Sequence, residues 1–318
     1  MVQNPKPPIN PLFMITIGIM AVSTSSVFIR YAQESSSSIM IAAYRMGFAT
    51  LVLAPIAIGP GKFNFKSMSN KQLGLVTVSG VFLAFHFATW ISSLAYTTVA
   101  SSVVLVDTSP LWVAIFAVLF IKERINRNIL VGLAITLVGS TTIGISDVCH
   151  FSGIMISCPS LPSILDGRGF IGDILALLGA FFASGYLLIG RILRPKMMLT
   201  SYIFMVYGIA AIVLWTIASM TRQTLVGYPV ITYVWFIALA IIPQLIGHSA
   251  FNWALRYLST IFVSLSLLGE PIGSIILAYL ILKEIPSFIE ISGALLVLIG
   301  IFLASRSESS TLPIENQI

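Results

Sequence analysis

The chain has 318 residues, of which 57% are hydrophobic and 9% charged, with a net charge of +6; its mean hydropathy is +1.00. A soluble domain carries about 25% charged residues, so this composition excludes a water-exposed globular fold, which could not cover its own surface. The Lys and Arg residues are scattered between apolar runs rather than gathered with aromatics into a basic patch, which excludes a nucleic-acid surface.

Apolar windows of about 20 residues match the hydrocarbon thickness of a bilayer. In chain order they fall near 12–30, 39–59, 72–94, 99–121, 128–146, 170–190, 201–220, 232–255, 260–282 and 288–305. The start, MVQNPKPPINP, is polar and proline-rich, and the run after it continues for a full span, so it reads as a first transmembrane helix and not as a cleaved signal. The pattern predicts an all-α integral membrane protein with ten transmembrane helices. They are arranged as five (12–146), a polar linker outside the membrane (147–169), and five more (170–305).

The two halves repeat. A constant shift of 161 residues sets Gly18 on Gly179, Arg30 on Arg191, Gly47 on Gly208, Tyr96 on Tyr257 and Pro110 on Pro271. It also sets Lys122-Glu123 on Lys283-Glu284, Gly132 on Gly293 and Gly139 on Gly300. With the N-terminus inside, twelve Lys and Arg fall on inner segments and four on outer ones, which predicts both termini in the cytoplasm of a multi-pass protein of the cell (inner) membrane. Five spans per copy then require the copies to be inverted. The charges agree: Arg30 falls outside and Arg191 inside, Lys122 inside and Lys283 outside. Inverted repeats are the architecture of many secondary transporters.

Several segments resemble the drug/metabolite transporter superfamily, in its ten-helix EamA-type branch. The first span with Ser25-Ser26-Val27-Phe28-Ile29-Arg30 is similar to that branch's first helix, and Tyr44-Arg45 with Gly47-Phe48 to its second. Thr108-Ser109-Pro110-Leu111 through Lys122-Glu123-Arg124 resembles its fourth helix, and Gly269-Glu270-Pro271 through Lys283-Glu284 the corresponding helix of the second half. The Gly132/Gly139 and Gly293/Gly300 stripes resemble the helices that close each half. The likeness covers about 12–305; the 147–169 loop departs from a compact mid-chain link. The resemblance implies a central cavity between the repeats, alternating access, and export of amino acids, other small metabolites or drugs.

Polar side chains within a span are costly and face the bundle interior or water, which yields a short list of cavity candidates. Gln244, His248 and Asn252 recur at i, i+4, i+8 and form one stripe on an α-helix; they line a cavity or bond neighbouring helices. His86 and Trp90 are similarly spaced, and either histidine is a candidate for a coupled proton, or a neutral donor to a backbone carbonyl. Asp107 and Glu270 lie roughly 12 and 15 Å deep at 1.5 Å per residue, each ahead of a proline (Pro110, Pro271) that can kink the helix. Either is a proton site, a partner for a cationic substrate group, or an acid satisfying groups freed at the kink. Arg45 either snorkels outward or binds a carboxylate. Tyr44, Tyr186 and Tyr207 complete the candidate walls. The residues matched across the copies read as scaffold, and the unmatched polar ones as the place of substrate and coupling.

Cys149 and Cys158 fall in the outer loop, where a short disulfide staple or free thiols both fit. No phosphate-binding loop, HExxH or GxSxG occurs, and no cluster has metal-ligand spacing. The expectation is therefore a non-enzymatic, cofactor-free secondary carrier or facilitator, a monomer or homodimer in the lipid bilayer. It would most readily export a small metabolite such as an amino acid, with proton coupling within reach. A multidrug exporter of the same fold is the alternative; a non-transporting receptor or an intramembrane enzyme stands further off.

Overall fold

The structure is a computed structural model that describes residues 7–58, 68–97, 99–122, 125–148, 150–152, 155–157, 168–277, 280 and 288–308. It is built from helices, joined at one point by a short hairpin. In order these are α1 (Pro11–Val22), α2 (Ser25–Gln33), α3 (Ser38–Ala57), α4 (Asn70–Ser93), α5 (Val99–Val106), α6 (Ser109–Ile121) and α7 (Arg127–Val148). The hairpin strands β1 (His150–Ser152) and β2 (Met155–Ser157) follow. Then come α8 (Arg168–Leu193), α9 (Leu199–Met220), α10 (Val230–Leu239), a π-helical segment (Ala240–His248), α11 (Ser249–Ala254), α12 (Thr260–Leu267), α13 (Glu270–Leu277) and α14 (Phe288–Glu308).

Among the described residues six helical stretches are long and apolar enough to cross a membrane: Pro11–Gln33, Ser38–Ala57, Asn70–Ser93, Gly169–Leu193, Leu199–Met220 and Val230–Ala254. The protein is therefore a multi-pass membrane protein. Four shorter apolar helices, Ser109–Ile121, Arg127–Gly139, Thr260–Gly273 and Ile291–Ala304, lie among them. Residues such as Leu51, Leu119, Phe120, Ile212 and Phe302 are exposed on the outside of the bundle, as expected where lipid replaces water.

The helices pack in cross-chain pairs: α7 with α14, α4 with α8, α3 with α9, α6 with α12, and α1 with the π segment and α11. The α7–α14 pair is the closest. A methyl group at Gly132 would lie 2.6 Å from the carbonyl oxygen of Gly300, and one at Gly139 would lie 2.7 Å from that of Gly293. Only glycine permits that approach, the basis of tight packing where no hydrophobic drive operates between helices.

Three interruptions shape the interior. The Pro11–Gln33 stretch breaks between Val22 and Ser25, and the prolines Pro110 and Pro271 each follow a break, at Asp107-Thr108 and Leu268-Gly269. Proline supplies no N–H and crowds the preceding turn, so the helix restarts there. Pro243 lies inside the π segment, where the widened turn accommodates its ring. The hairpin pairs His150 with Ser157, Phe151 with Ile156 and Ser152 with Met155. Cys149 and Cys158 flank it in sequence but lie outside the described residues.

Candidate functional site

A cavity of about 50 Å³ lies in the bundle interior, lined among others by His86, Trp90, Asp107, Tyr186, His248 and Glu270. At roughly 30 Å³ per water it holds one or two solvent molecules and no metabolite. Each side chain arrives on a different element. α4 supplies His86 and Trp90, stacked at 9° with ring centroids 5.8 Å apart. Asp107 comes from the α5–α6 break and Glu270 from the first residue of α13. α8 supplies Tyr186, and the π segment supplies His248, whose ring centroid lies 6.4 Å from that of His86.

Several buried polar side-chain atoms lack a hydrogen-bond partner among the described residues, Arg45 Nη2, Gln244 Nε2 and Asn252 Oδ1 among them, and three more gather at the cavity. Asp107 Oδ2, Glu270 Oε1 and Trp90 Nε1 are buried at the cavity and have no partner among the described residues. A buried polar atom without a partner costs about 1–3 kcal/mol, so three around one small space make it the candidate binding site. His86 is held: its Nδ1–H donates to the Gly179 carbonyl at 2.9 Å, leaving Nε2 as the ring's acceptor.

Behind the wall lies a second polar layer. Arg45 is fully buried; its Nε donates to Gln244 Oε1 at 2.9 Å and its Nη1 to Ser25 Oγ at 3.3 Å. Its guanidinium lies 4.2 Å from the Phe87 ring centroid, a cation–π contact. Ser25 lines the cavity, so Arg45 acts one side chain behind the surface. Tyr207 donates to the Gln244 carbonyl at 3.5 Å. Asn252 donates to the His248 carbonyl at 2.7 Å and to the Tyr186 hydroxyl.

Six of the eleven sequence candidates thus line the cavity, and Arg45, Gln244, Asn252 and Tyr207 support it. Tyr44 lies apart, stacked on Phe236 at 4.6 Å and donating to the Leu225 carbonyl at 2.8 Å. It borders a groove of about 1200 Å³ between α3 and α9 that contains no Asp, Glu, Lys, Arg or His. The α-helical stripe expected of Gln244, His248 and Asn252 is altered by the π segment. Its i→i+5 bonding widens the turn, so Gln244 reaches Arg45 while His248 reaches the cavity.

Sequence reasoning missed Ser25, because a serine in a span satisfies itself on its own helix and raises no flag. Arg194 is one of the twelve charges counted on inner segments. In the structure Arg194 is 2% exposed, and its Nε donates to the Asn252 carbonyl at 2.9 Å; the Asn252 at i, i+8 from Gln244 was the signal. Among the described residues no three His, Cys, Asp or Glu side chains gather to hold a metal ion.

Comparison with known proteins gives one consistent result. The model of the EamA-like transporter family matches residues 10–145 and again 170–306. The pseudopaline exporter CntI of Pseudomonas aeruginosa is 24% identical, over 92% of this chain and 96% of that protein. An uncharacterized transporter of Archaeoglobus fulgidus is 21% identical, over 93% and 97%. A solved crystal structure, 14% identical, superposes with a TM-score of 0.72 over 94% of this chain and 97% of its own. It speaks for the fold alone.

Proposed function

The chain belongs to the EamA-like transporter family, and we propose from that premise that it is a secondary carrier exporting a small polar metabolite, an amino acid or a compound of that kind, by alternating access. The observation that carries this reading is the interior cavity with the unpartnered Asp107 Oδ2, Glu270 Oε1 and Trp90 Nε1. Carboxylate oxygens suit an ammonium group of the substrate or a coupled proton, and the indole N–H suits a carbonyl or carboxylate oxygen. Export accords with the name of the Pseudomonas aeruginosa relative.

Alternating access needs two halves that rock about a fixed site. The reading of ten spans in two inverted repeats, 12–146 and 170–305, is supported by contacts that exchange under the 161-residue shift. Gly132 faces Gly300 and Gly139 faces Gly293; each contact maps onto the other. Because 132 meets 300 while 139 meets 293, the equivalent helices α7 and α14 run antiparallel, which supports the reading of inverted copies. Gly18 lies against Phe251 and Gly179 against Trp90, again the same contact made twice. Cytoplasmic termini in the inner membrane follow from the charge tally.

The test is counterflow. Protein reconstituted in liposomes and preloaded with one solute of an amino-acid and metabolite panel is expected to accelerate uptake of the labelled solute. A channel shows no such trans-stimulation, and a carrier of hydrophobic drugs responds to organic cations in place of metabolites. Failure of the whole panel in both directions sinks the proposal.

The outer loop yields a separate expectation. Cys149 and Cys158 lie nine positions apart in the outer loop of the sequence and are expected to form a disulfide that staples that loop, without a part in transport. Intact mass after alkylation checks this: two labels without prior reduction contradict it.

A further inference from the structure

Two serines that line no cavity occupy equivalent positions, 23 and 184, under the shift of 161 residues. Ser23 lies at the α1–α2 break, 1% exposed, and Ser184 inside α8, fully buried. Ser23 Oγ is 3.2 Å from the carbonyl oxygen of Glu270, the first residue of α13. Ser184 Oγ is 3.0 Å from the carbonyl oxygen of Ser109, the first residue of α6. Residues 109 and 270 are themselves 161 apart, so the two contacts are one device in duplicate.

Each hydroxyl has a second acceptor. Ser23 Oγ lies 2.7 Å from the Ile19 carbonyl and Ser184 Oγ 2.7 Å from the Ala180 carbonyl, each four residues back on its own helix. A hydroxyl has one proton, so the bond to the neighbouring helix is shared with a shorter bond at home. That sharing decides what release costs. Parting two helices in a bilayer normally strands a donor where no water can meet it. Here the proton stays on its own helix, and nothing is stranded.

The acceptors occupy telling places. Each is the residue directly before Pro110 or Pro271 and directly after a helix break. The missing proline N–H weakens the tie between the half-helices, so the serine contact holds the second half in place. Ser23 grips the residue whose side chain, Glu270, faces the cavity; Ser184 grips the residue two places after Asp107. A methyl group at Gly273 would lie 2.0 Å from Ser23 Oγ, so the glycine there is the opening through which the serine reaches.

We propose that Ser23 and Ser184 are a matched pair of releasable latches that position Glu270 and Asp107. Releasing one opens the cavity to one side of the membrane, and releasing the other opens it to the opposite side. The consequence for transport rests on the carrier reading above; the release itself is readable without a substrate.

The experiment is hydrogen–deuterium exchange on the full chain in lipid nanodiscs, comparing wild type with S23A, S184A and S184T. S23A is expected to raise uptake over Thr260–Leu277 about threefold, the size of an average interhelical hydrogen bond in a bilayer, and to leave Val99–Ile121 unchanged. S184A is expected to do the reverse, and S184T, which keeps the hydroxyl, to match wild type. In counterflow each alanine variant is expected to change the maximal rate per folded protein while the half-saturating solute concentration holds; the selective exchange pattern is what separates a latch from general destabilisation. Unchanged uptake in both variants, or a rise over both half-helices with either one, overturns the latches. If the selective pattern appears while wild type exchanges no solute, the latches stand and the carrier reading falls.

Discussion

Asp107→Asn and Glu270→Gln are each expected to lower counterflow roughly ten- to a hundredfold, the worth of a charge-assisted hydrogen bond of about 1.5–3 kcal/mol. Both substitutions keep the volume of the side chain and replace one carboxyl group in the cavity by an amide, where Asp107 Oδ2 and Glu270 Oε1 are buried without a partner among the described residues. The loss therefore falls on the ligand or the coupled proton and not on the packing. Thermal unfolding in detergent is expected to stay close to wild type. Tyr44→Phe is the companion measurement. Tyr44 bonds the Leu225 carbonyl inside an aromatic cluster, away from the cavity, and its variant is expected to transport at near the wild-type rate. Full counterflow in Asp107→Asn and Glu270→Gln removes the cavity from the mechanism.

Gly132→Leu and Gly139→Leu are expected to have the largest effect on stability. The carbonyl oxygens of Gly300 and Gly293 lie 2.6 and 2.7 Å from where the new Cβ atoms would be. Both contacts are with backbone, which cannot swing aside, so α7 and α14 must separate along their length. Overpacking of this kind costs about 1–3 kcal/mol, or roughly 2–10 °C in the unfolding transition. Gly74→Ala is the contrast. Nothing lies within 4 Å of a Cβ at Gly74, and alanine is the better helix former by roughly 1 kcal/mol, so that variant is expected to melt no lower than wild type. A Gly132→Leu protein that melts with wild type would mean that α7 and α14 do not hold the halves together.

Much of this was legible in the chain. Membrane-length apolar runs are dictated by composition, and Asp107, Glu270, His86 and His248 stand out because a titratable group in such a run needs a reason to be there. Depth and facing were harder. Arg45 was expected at a cavity wall or snorkelling outward, and it does neither: it lies one side chain behind the wall on Gln244 and Ser25. Periodicity assigns a residue to a helix face only while the helix keeps its pitch, and the π segment at Ala240–His248 breaks that assumption for Gln244 and His248. Ser23, Ser25 and Ser184 carry no signal in a single span, since serine back-bonds to its own helix wherever it falls. Only the register of the repeat, applied to pairs instead of single residues, singles out Ser23 and Ser184.

The widened turn of the Val230–Ala254 stretch also sets a limit on what can move. Rewinding it to an α-helix would drive the Pro243 ring into the carbonyl of Leu239, four residues back. The π turn relieves that clash, so on the carrier reading the azimuth of His248 about its helix axis is expected to hold whichever way the cavity faces. On that reading this stretch is a fixed compass needle. An isotope-edited infrared amide reporter of its local backbone geometry is expected to stay silent through the proposed transport cycle, and so to supply the reference frame against which the other helices can be timed.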